Sequence, residues 1–227
     1  MTDLYTPKIL PICQHGHPAL KKVCMTVQDT IENKNSLADL LFTSLSIKSA
    51  IGLAANQTGM MLRAFVCLID EQSKLVINPV IKKGRNAYMS KESCLSLPHL
   101  SVAVERFELL DIEYLDENFR KQRRKLKGLS SACYQHEMNH IDGITIVDSL
   151  SEVEKEGIKE HLSKIENGSI PVLYSIQLAD GTVILPAPPT KPEPFQPSKL
   201  INEAVEKVYP YTKFLEYTHN TNPYRKS

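Results

Sequence analysis

The residues best able to do chemistry stand together in Gln135-His136-Glu137-Met138-Asn139-His140, a His-Glu-x-x-His pattern. In a helix, four residues turn the chain by about 400°, so His136 and His140 emerge one above the other on a single face. Two imidazoles at that spacing can grip one divalent cation. Glu137 lies about 100° round the helix, near enough to take a proton from water beside the ion without ligating it. Two ligands and a general base thus occupy five residues. The pattern is short, however, and a helix bearing two histidines often only packs or faces water. It needs support from the rest of the chain.

The local context is helical. Leu129, Ala132, Cys133, His136 and His140 recur at three- and four-residue spacing, Ser130 and Ser131 can cap the start, and Gly143 can end it. A catalytic ion needs a third protein ligand and an open position. Downstream, Glu160 stands where a thermolysin-like site would draw its third ligand. A metzincin-like site would need His where the chain has Ile146. Upstream, Cys94 would give a Cys-His-His set, whose thiolate suits a soft or borderline ion such as Fe²⁺ or Zn²⁺. On the residues alone, however, Cys94 reads first as a small buried apolar residue.

The positioning elements follow from hydrophobic periodicity. Residues 1–25 read as an irregular entry with a turn at His15-Gly16-His17-Pro18, where both histidines suit a solvated turn better than a metal site. Leu37, Leu40, Leu41 and Leu45 predict a helix capped by Asn35 or Ser36. The run Ala50-Ile51-Gly52-Leu53-Ala54-Ala55-Asn56-Gln57 is too small and Gly/Ala-rich for ordinary core. It predicts either a tight turn or a backbone that approaches a ligand, with Gln57 as an amide donor. Strands are expected at Ala64–Ile69, at Leu75-Val76-Ile77 ending in Asn78-Pro79, near Val102–Val104 and at Leu109–Leu115. The basic run from Arg120 to Lys127 reads as a loop, solvated or in contact with RNA such as the ribosome's. Beyond Gly168, Ile170–Leu185 predicts a hairpin turning at Ala179-Asp180-Gly181. Pro186–Pro194 reads as a stiff linker and Ser198–Val208 as a short helix with a packing or docking role.

Composition excludes several classes. The net charge of +1 over 227 residues argues against DNA or an anionic membrane surface as partner. No apolar run approaches the roughly 18 residues of a membrane span, and the first residues lack a signal-peptide pattern. Five scattered cysteines suit reduced thiols in a cytoplasmic protein better than a disulfide framework.

Taken together, Gly52-Leu53-Ala54-Ala55-Asn56-Gln57, Glu92-Ser93-Cys94-Leu95-Ser96 and the His-Glu-x-x-His stretch resemble, in order and spacing, the three motifs of the peptide deformylase family. His17-Pro18-Ala19-Leu20 resembles that family's opening, and the likeness runs from about Lys8 to Leu162. The resemblance implies an α+β fold in which antiparallel sheets wrap a central helix carrying the motif. It implies one divalent ion on Cys94, His136 and His140, with Fe²⁺ expected in the cell and Zn²⁺, Ni²⁺ or Co²⁺ as alternatives. It assigns Glu137 as general base, and Gln57 with the Leu95 N–H as donors to the developing oxyanion. The substrate implied is the N-formylmethionyl end of a nascent peptide, with formate released. Leu129, Ala132 and Cys133 would line the methionine pocket, Ile51 and Gly52 would hydrogen-bond the peptide, Ser93 would sit beside it, and Glu92 would pair with Arg106 behind the ligands.

Three departures stand out. The family has Gly at the positions of Ala50 and Ser93, and Asp at that of Asn139; none removes a ligand, Glu137 or Gln57. The reading divides the chain into a catalytic domain at 1–168 and an extension at 169–227. Two other functions are kept: a His-Glu-x-x-His metallopeptidase, and a non-catalytic metal module in which Cys67 or Cys133 closes the coordination.

Overall fold

The computed structural model describes residues 5–47 and 49–186. Its centre is a five-stranded antiparallel sheet in the order β2-β3-β4-β5-β6, built from Gly52–Ala54, Ala64–Ile69, Gln72–Cys94, Leu97–Leu115 and Lys121–Lys127. Helices α1 (Ile31–Ser46) and α2 (Gly128–Ile141) pack on opposite faces of it. The strand alternation of β3 makes this arrangement: Val66 joins the α1-side core with Leu37, Leu40 and Leu41, while Phe65 and Cys67 join the α2-side core with Tyr134 and Ile141. Phe65 and Tyr134 meet edge to face with centroids 5.0 Å apart. The expected α+β class, with antiparallel strands around the motif helix, is the fold observed.

Several local expectations change. Helix α1 begins earlier than the leucine stripe, because Thr30 Oγ1 accepts the Asn33 N–H and caps it in place of Asn35 or Ser36. In α2, Ser130 and Ser131 lie inside the helix, and Ser131 Oγ instead donates to the Phe107 carbonyl at 2.6 Å. Strand β4 does not stop at Asn78-Pro79. The register jumps from Ile77↔Leu115 to Val80↔Glu113, so residues 78 and 79 face one residue of β5 as a bulge, where Pro79 needs no N–H. Asn78 takes φ +49° there, and its side chain exchanges two 2.9 Å hydrogen bonds with the Val27 main chain. The two runs near 102–104 and 109–115 are parts of one strand, β5. The basic run is no loop: Lys121–Lys127 is edge strand β6, whose charges keep that edge from pairing with another chain.

After α3 (Glu152–Glu166), the chain makes the expected hairpin. Strands β7 (Ile176–Gln177) and β8 (Val183–Ile184) pair antiparallel around Gly181, which takes φ +88°. Strand β7 also pairs in parallel with β1 (Ile12–Cys13), tying this segment to the N-terminal one. The expected helix at 198–208 lies outside the described residues. No helix among the described residues is long and apolar enough to cross a membrane.

Candidate metal centre and active-site cleft

Three elements deliver the site. Helix α2 presents His136 and His140, whose rings lie 4.9 Å apart, and β4 ends at Cys94 between them and the β4–β5 turn. Ligand atoms from Cys94, His136 and His140 all lie within 4.8 Å of one another, and all three side chains are buried. Cys94 Sγ is 3.1 Å from His140 Nε2. Burial alone would push the Cys94 thiol up, yet His140 and His136 outweigh it and hold the thiol well below its ordinary range. Burial would lower His136, but Cys94 and Glu92 outweigh it and hold the ring well above its ordinary range. With that proton displaced by an ion, a thiolate and two imidazoles would form a donor set suited to Fe²⁺ or Zn²⁺.

The ligands are held from behind. Glu92 Oε2 lies 2.9 Å from His136 Nδ1, leaving Nε2 free to face Cys94. Arg106 grips Glu92 with two nitrogens at 2.9 and 2.8 Å and donates to Asn139 Oδ1 at 2.6 Å. Burial raises the Glu92 carboxyl, but His136 and Arg106 prevail and bring it to about 2. The Asn139 departure thus keeps the guanidinium bond that a carboxylate would make. Asn56, from the small-residue run, donates to the carbonyls of Ala19 and His140, and so locks the end of α2 to that run. Gln135 holds both main-chain groups of Phe107 on β5, at 2.9 Å each, as a neighbouring strand would.

Above the cluster opens a cleft of about 940 Å³. Its lining includes Ile51, Gly52, Gln57, Glu92, Ser93, Leu95, Leu129, Ala132, Cys133 and Glu137, so the expected site residues other than His140 and Arg106 reach it. Gln57 is oriented from both sides: its Oε1 accepts the Ala54 N–H at 2.9 Å, and its Nε2 lies 3.4 Å from Cys94 Sγ and 3.1 Å from Ser96 Oγ. Glu137 is 3% exposed, and burial pushes its carboxyl well up. Its Oε2 has no partner among the described residues, an orphan that water or substrate would satisfy. Glycine at 52 makes room for that carboxylate, since a Cβ there would overlap Glu137 Oε1 and come within 2.9 Å of Cys133 Sγ.

Some expectations do not fit. The Ile51 carbonyl is already engaged, accepting from the Leu68 N–H at 3.0 Å and the Cys133 thiol at 3.2 Å. Glu160 is exposed on α3 and paired with Lys164 at 2.7 Å, so the thermolysin-like ligand set fails. Cys67 and Cys133 lie with their sulfurs 3.2 Å apart, outside the cluster, and do not close its coordination. Asn56, Ser96 and Gln135 stand in the quoted motifs without a role read for them; the partners that link them to other elements (His140 and Ala19, Gln57 and His15, Phe107) are distant in sequence.

Likeness to known proteins agrees with this geometry. Residues 9–156 match the model of the polypeptide deformylase family. The chain is 31% identical over 191 residues to a peptide deformylase of Salinibacter ruber, covering 78% of this chain and 98% of that protein. It is 38% identical over 158 residues to one of Pelagibacter ubique, covering 66% and 91%. Among solved structures, a peptide deformylase from Thermus thermophilus superposes with a TM-score of 0.65 at 32% identity, over 71% of this chain and 100% of that one. One from Legionella pneumophila gives 0.66 at 28%. With the Cys-His-His cluster, the oriented glutamine and the buried glutamate on one cleft, this chain belongs to the peptide deformylase family, the metal-dependent hydrolases that remove N-formyl groups from nascent polypeptides.

Proposed function

We propose that Cys94, His136 and His140 hold one divalent ion, and that Glu137, Gln57 and the Leu95 N–H carry the hydrolysis of the formyl amide. The observation behind this reading is the convergence of three buried ligand atoms within 4.8 Å, beneath a cleft that Gln57 and Glu137 also reach. Such an ion, when bound, acidifies water and polarises a carbonyl oxygen. Glu137 takes the proton from the attacking water and later delivers it to the leaving amine. Gln57 Nε2 and the Leu95 N–H donate to the formyl oxygen as it gains charge.

The peptide is held on the free edge of β2. Ile51 accepts from Leu68, so the next residue pair, Gly52 and Cys67, falls in the non-hydrogen-bonded position of the antiparallel ladder. The Gly52 N–H and C=O then turn away from β3, where an extended peptide can pair with them. Leu129, Ala132 and Cys133 receive the methionine side chain, and Ser93 sits at the rim.

The test is Glu137→Gln, which keeps size and polarity but cannot accept the proton. Its metal content should match wild type while kcat falls by about 10²–10⁴-fold; a near-normal kcat removes Glu137 from the mechanism. The ion in the cell is Fe²⁺ on this reading. Activity should then decay in air and persist longer with Ni²⁺ or Co²⁺, and equal aerobic lifetimes would contradict it. The protein works in the cytoplasm, where nascent chains emerge. A ribosome contact would use the exposed cations of β6, and sedimentation with ribosomes at low and high salt checks it.

A further inference from the structure

Four hydrogen bonds converge on the two-residue turn Leu95-Ser96, which follows Cys94 and joins β4 to β5. The Leu95 carbonyl accepts from the Tyr174 hydroxyl at 2.7 Å and from the Gln14 side-chain amide at 3.2 Å. The Ser96 carbonyl accepts from the His15 N–H at 3.0 Å, and Ser96 Oγ accepts from Gln57 Nε2 at 3.1 Å. The Leu95 N–H donates to none of the described groups. Both carbonyls of the turn and the Ser96 hydroxyl oxygen are committed, which holds the peptide planes in place and leaves the Leu95 N–H, next to the ligand Cys94, to donate elsewhere.

Tyr174 comes from outside the family-matched residues 9–156. The strand after it is fixed to the N-terminal segment, since Ile12 N–H donates to Ser175 O at 2.8 Å and β7 pairs with β1. The irregular segment before it is tied to β5, with His99 Nε2 3.1 Å from the Pro171 carbonyl. Between these ties, Pro171, Val172 and Leu173 form one wall of the cleft. The Tyr174 ring packs on the α1-side core, which a phenylalanine could also do. The hydroxyl is the group that hydrogen-bonds the turn.

We propose that Tyr174 is a positioning residue for the reaction: its hydroxyl, with the Gln14 amide, holds the Leu95 carbonyl so that the Leu95 N–H keeps its aim into the cleft. The inference rests on the reading of that N–H as a donor to the developing oxyanion. The carbonyl and the N–H flank one Cα, and Cys94 anchors the far side of the N–H. Releasing the carbonyl therefore frees the turn to rotate without removing a ligand.

The test is Tyr174→Phe in the full chain, beside Tyr5→Phe as control. Tyr5 donates an equally short hydrogen bond, 2.7 Å to Asp39, remote from the cleft. Tyr174→Phe should lower kcat on a formyl-Met peptide about tenfold, less than the roughly 10²–10³-fold cost of losing a donor outright. KM should stay within about twofold, as expected when an interaction acts only in the transition state. In Zn²⁺-loaded protein, the order parameter of the Leu95 amide should fall, with metal content unchanged. Tyr5→Phe should move neither kcat nor that amide. A Tyr174→Phe protein with wild-type kcat, or one whose loss is confined to KM, overturns the proposal. If wild type itself fails to deformylate, the proposed function fails, and the Leu95 amide still decides the positioning contact: a rigid amide in Tyr174→Phe overturns it, a loosened one upholds it.

Discussion

The two ends of the β4–β5 pair carry the same kinds of charge and treat them differently. At the Cys94 end, Glu92 and Arg106 face each other with side chains 9% and 8% exposed, and both engage α2 through His136 and Asn139. Near the other end, Glu113 collects Lys82, Lys121 and Arg123, whose side chains are 55%, 58% and 75% exposed. The first group is shielded, has hydrogen-bond partners for its charges, and orients a ligand. The second is screened by water and salt, and holds long side chains at an entropic cost that cancels most of the attraction. Burial, then, separates a pair that sets geometry from one that decorates an edge strand.

The comparison breaks most visibly at Arg106. Arg106→Leu takes the guanidinium from Glu92 and leaves it only His136, and losing one side of a buried pair costs about 3–5 kcal/mol. Thermal or urea unfolding should register that loss. The double variant Glu92→Leu/Arg106→Leu should recover much of the stability while still binding metal less well, because His136 loses its orienting carboxylate. A single variant as stable as wild type would mean the pair is merely decorative.

A smaller effect is expected at Gly52, the backbone that borders both Glu137 and Cys133. Gly52→Ala forces overpacking that typically costs about 1–3 kcal/mol, and it should displace Glu137. Metal content should hold while kcat drops; unchanged kcat would show that the glutamate has more room than the close approach implies. The smallest effect is Glu113→Gln. Its melting temperature should match wild type at high salt and differ only slightly at low salt. A large, salt-independent change would erase the contrast between the two ends.

What could be read from the chain was local. His136, Glu137 and His140 declare themselves through helical spacing, and Gly52 through Gln57 through a run too small to be core. The class of fold and the Cys94 contribution followed once those stretches were recognised together. What could not be read depended on distant partners. The continuity of β4 through Asn78-Pro79 needs the bulge opposite β5 and the clasp to Val27. The basic run becomes a strand because β5 offers a full ladder to Lys121–Lys127, overriding a composition that suggests a loop. Thr30 outranks Asn35 as a cap because the helix extends a turn beyond its apolar stripe. The contact of Tyr174 with Leu95 spans 79 residues and leaves no pattern.

The most direct test of the central claim is formate release from a formyl-Met peptide by protein purified without oxygen, with metal measured on the same sample. Wild type should carry one divalent ion per chain and turn over many equivalents of the formyl peptide but not its acetyl counterpart. His140→Ala should lose both the ion and the activity while staying folded. Full turnover and stoichiometric metal in His140→Ala, or metal-replete wild type that releases no formate, would contradict the account.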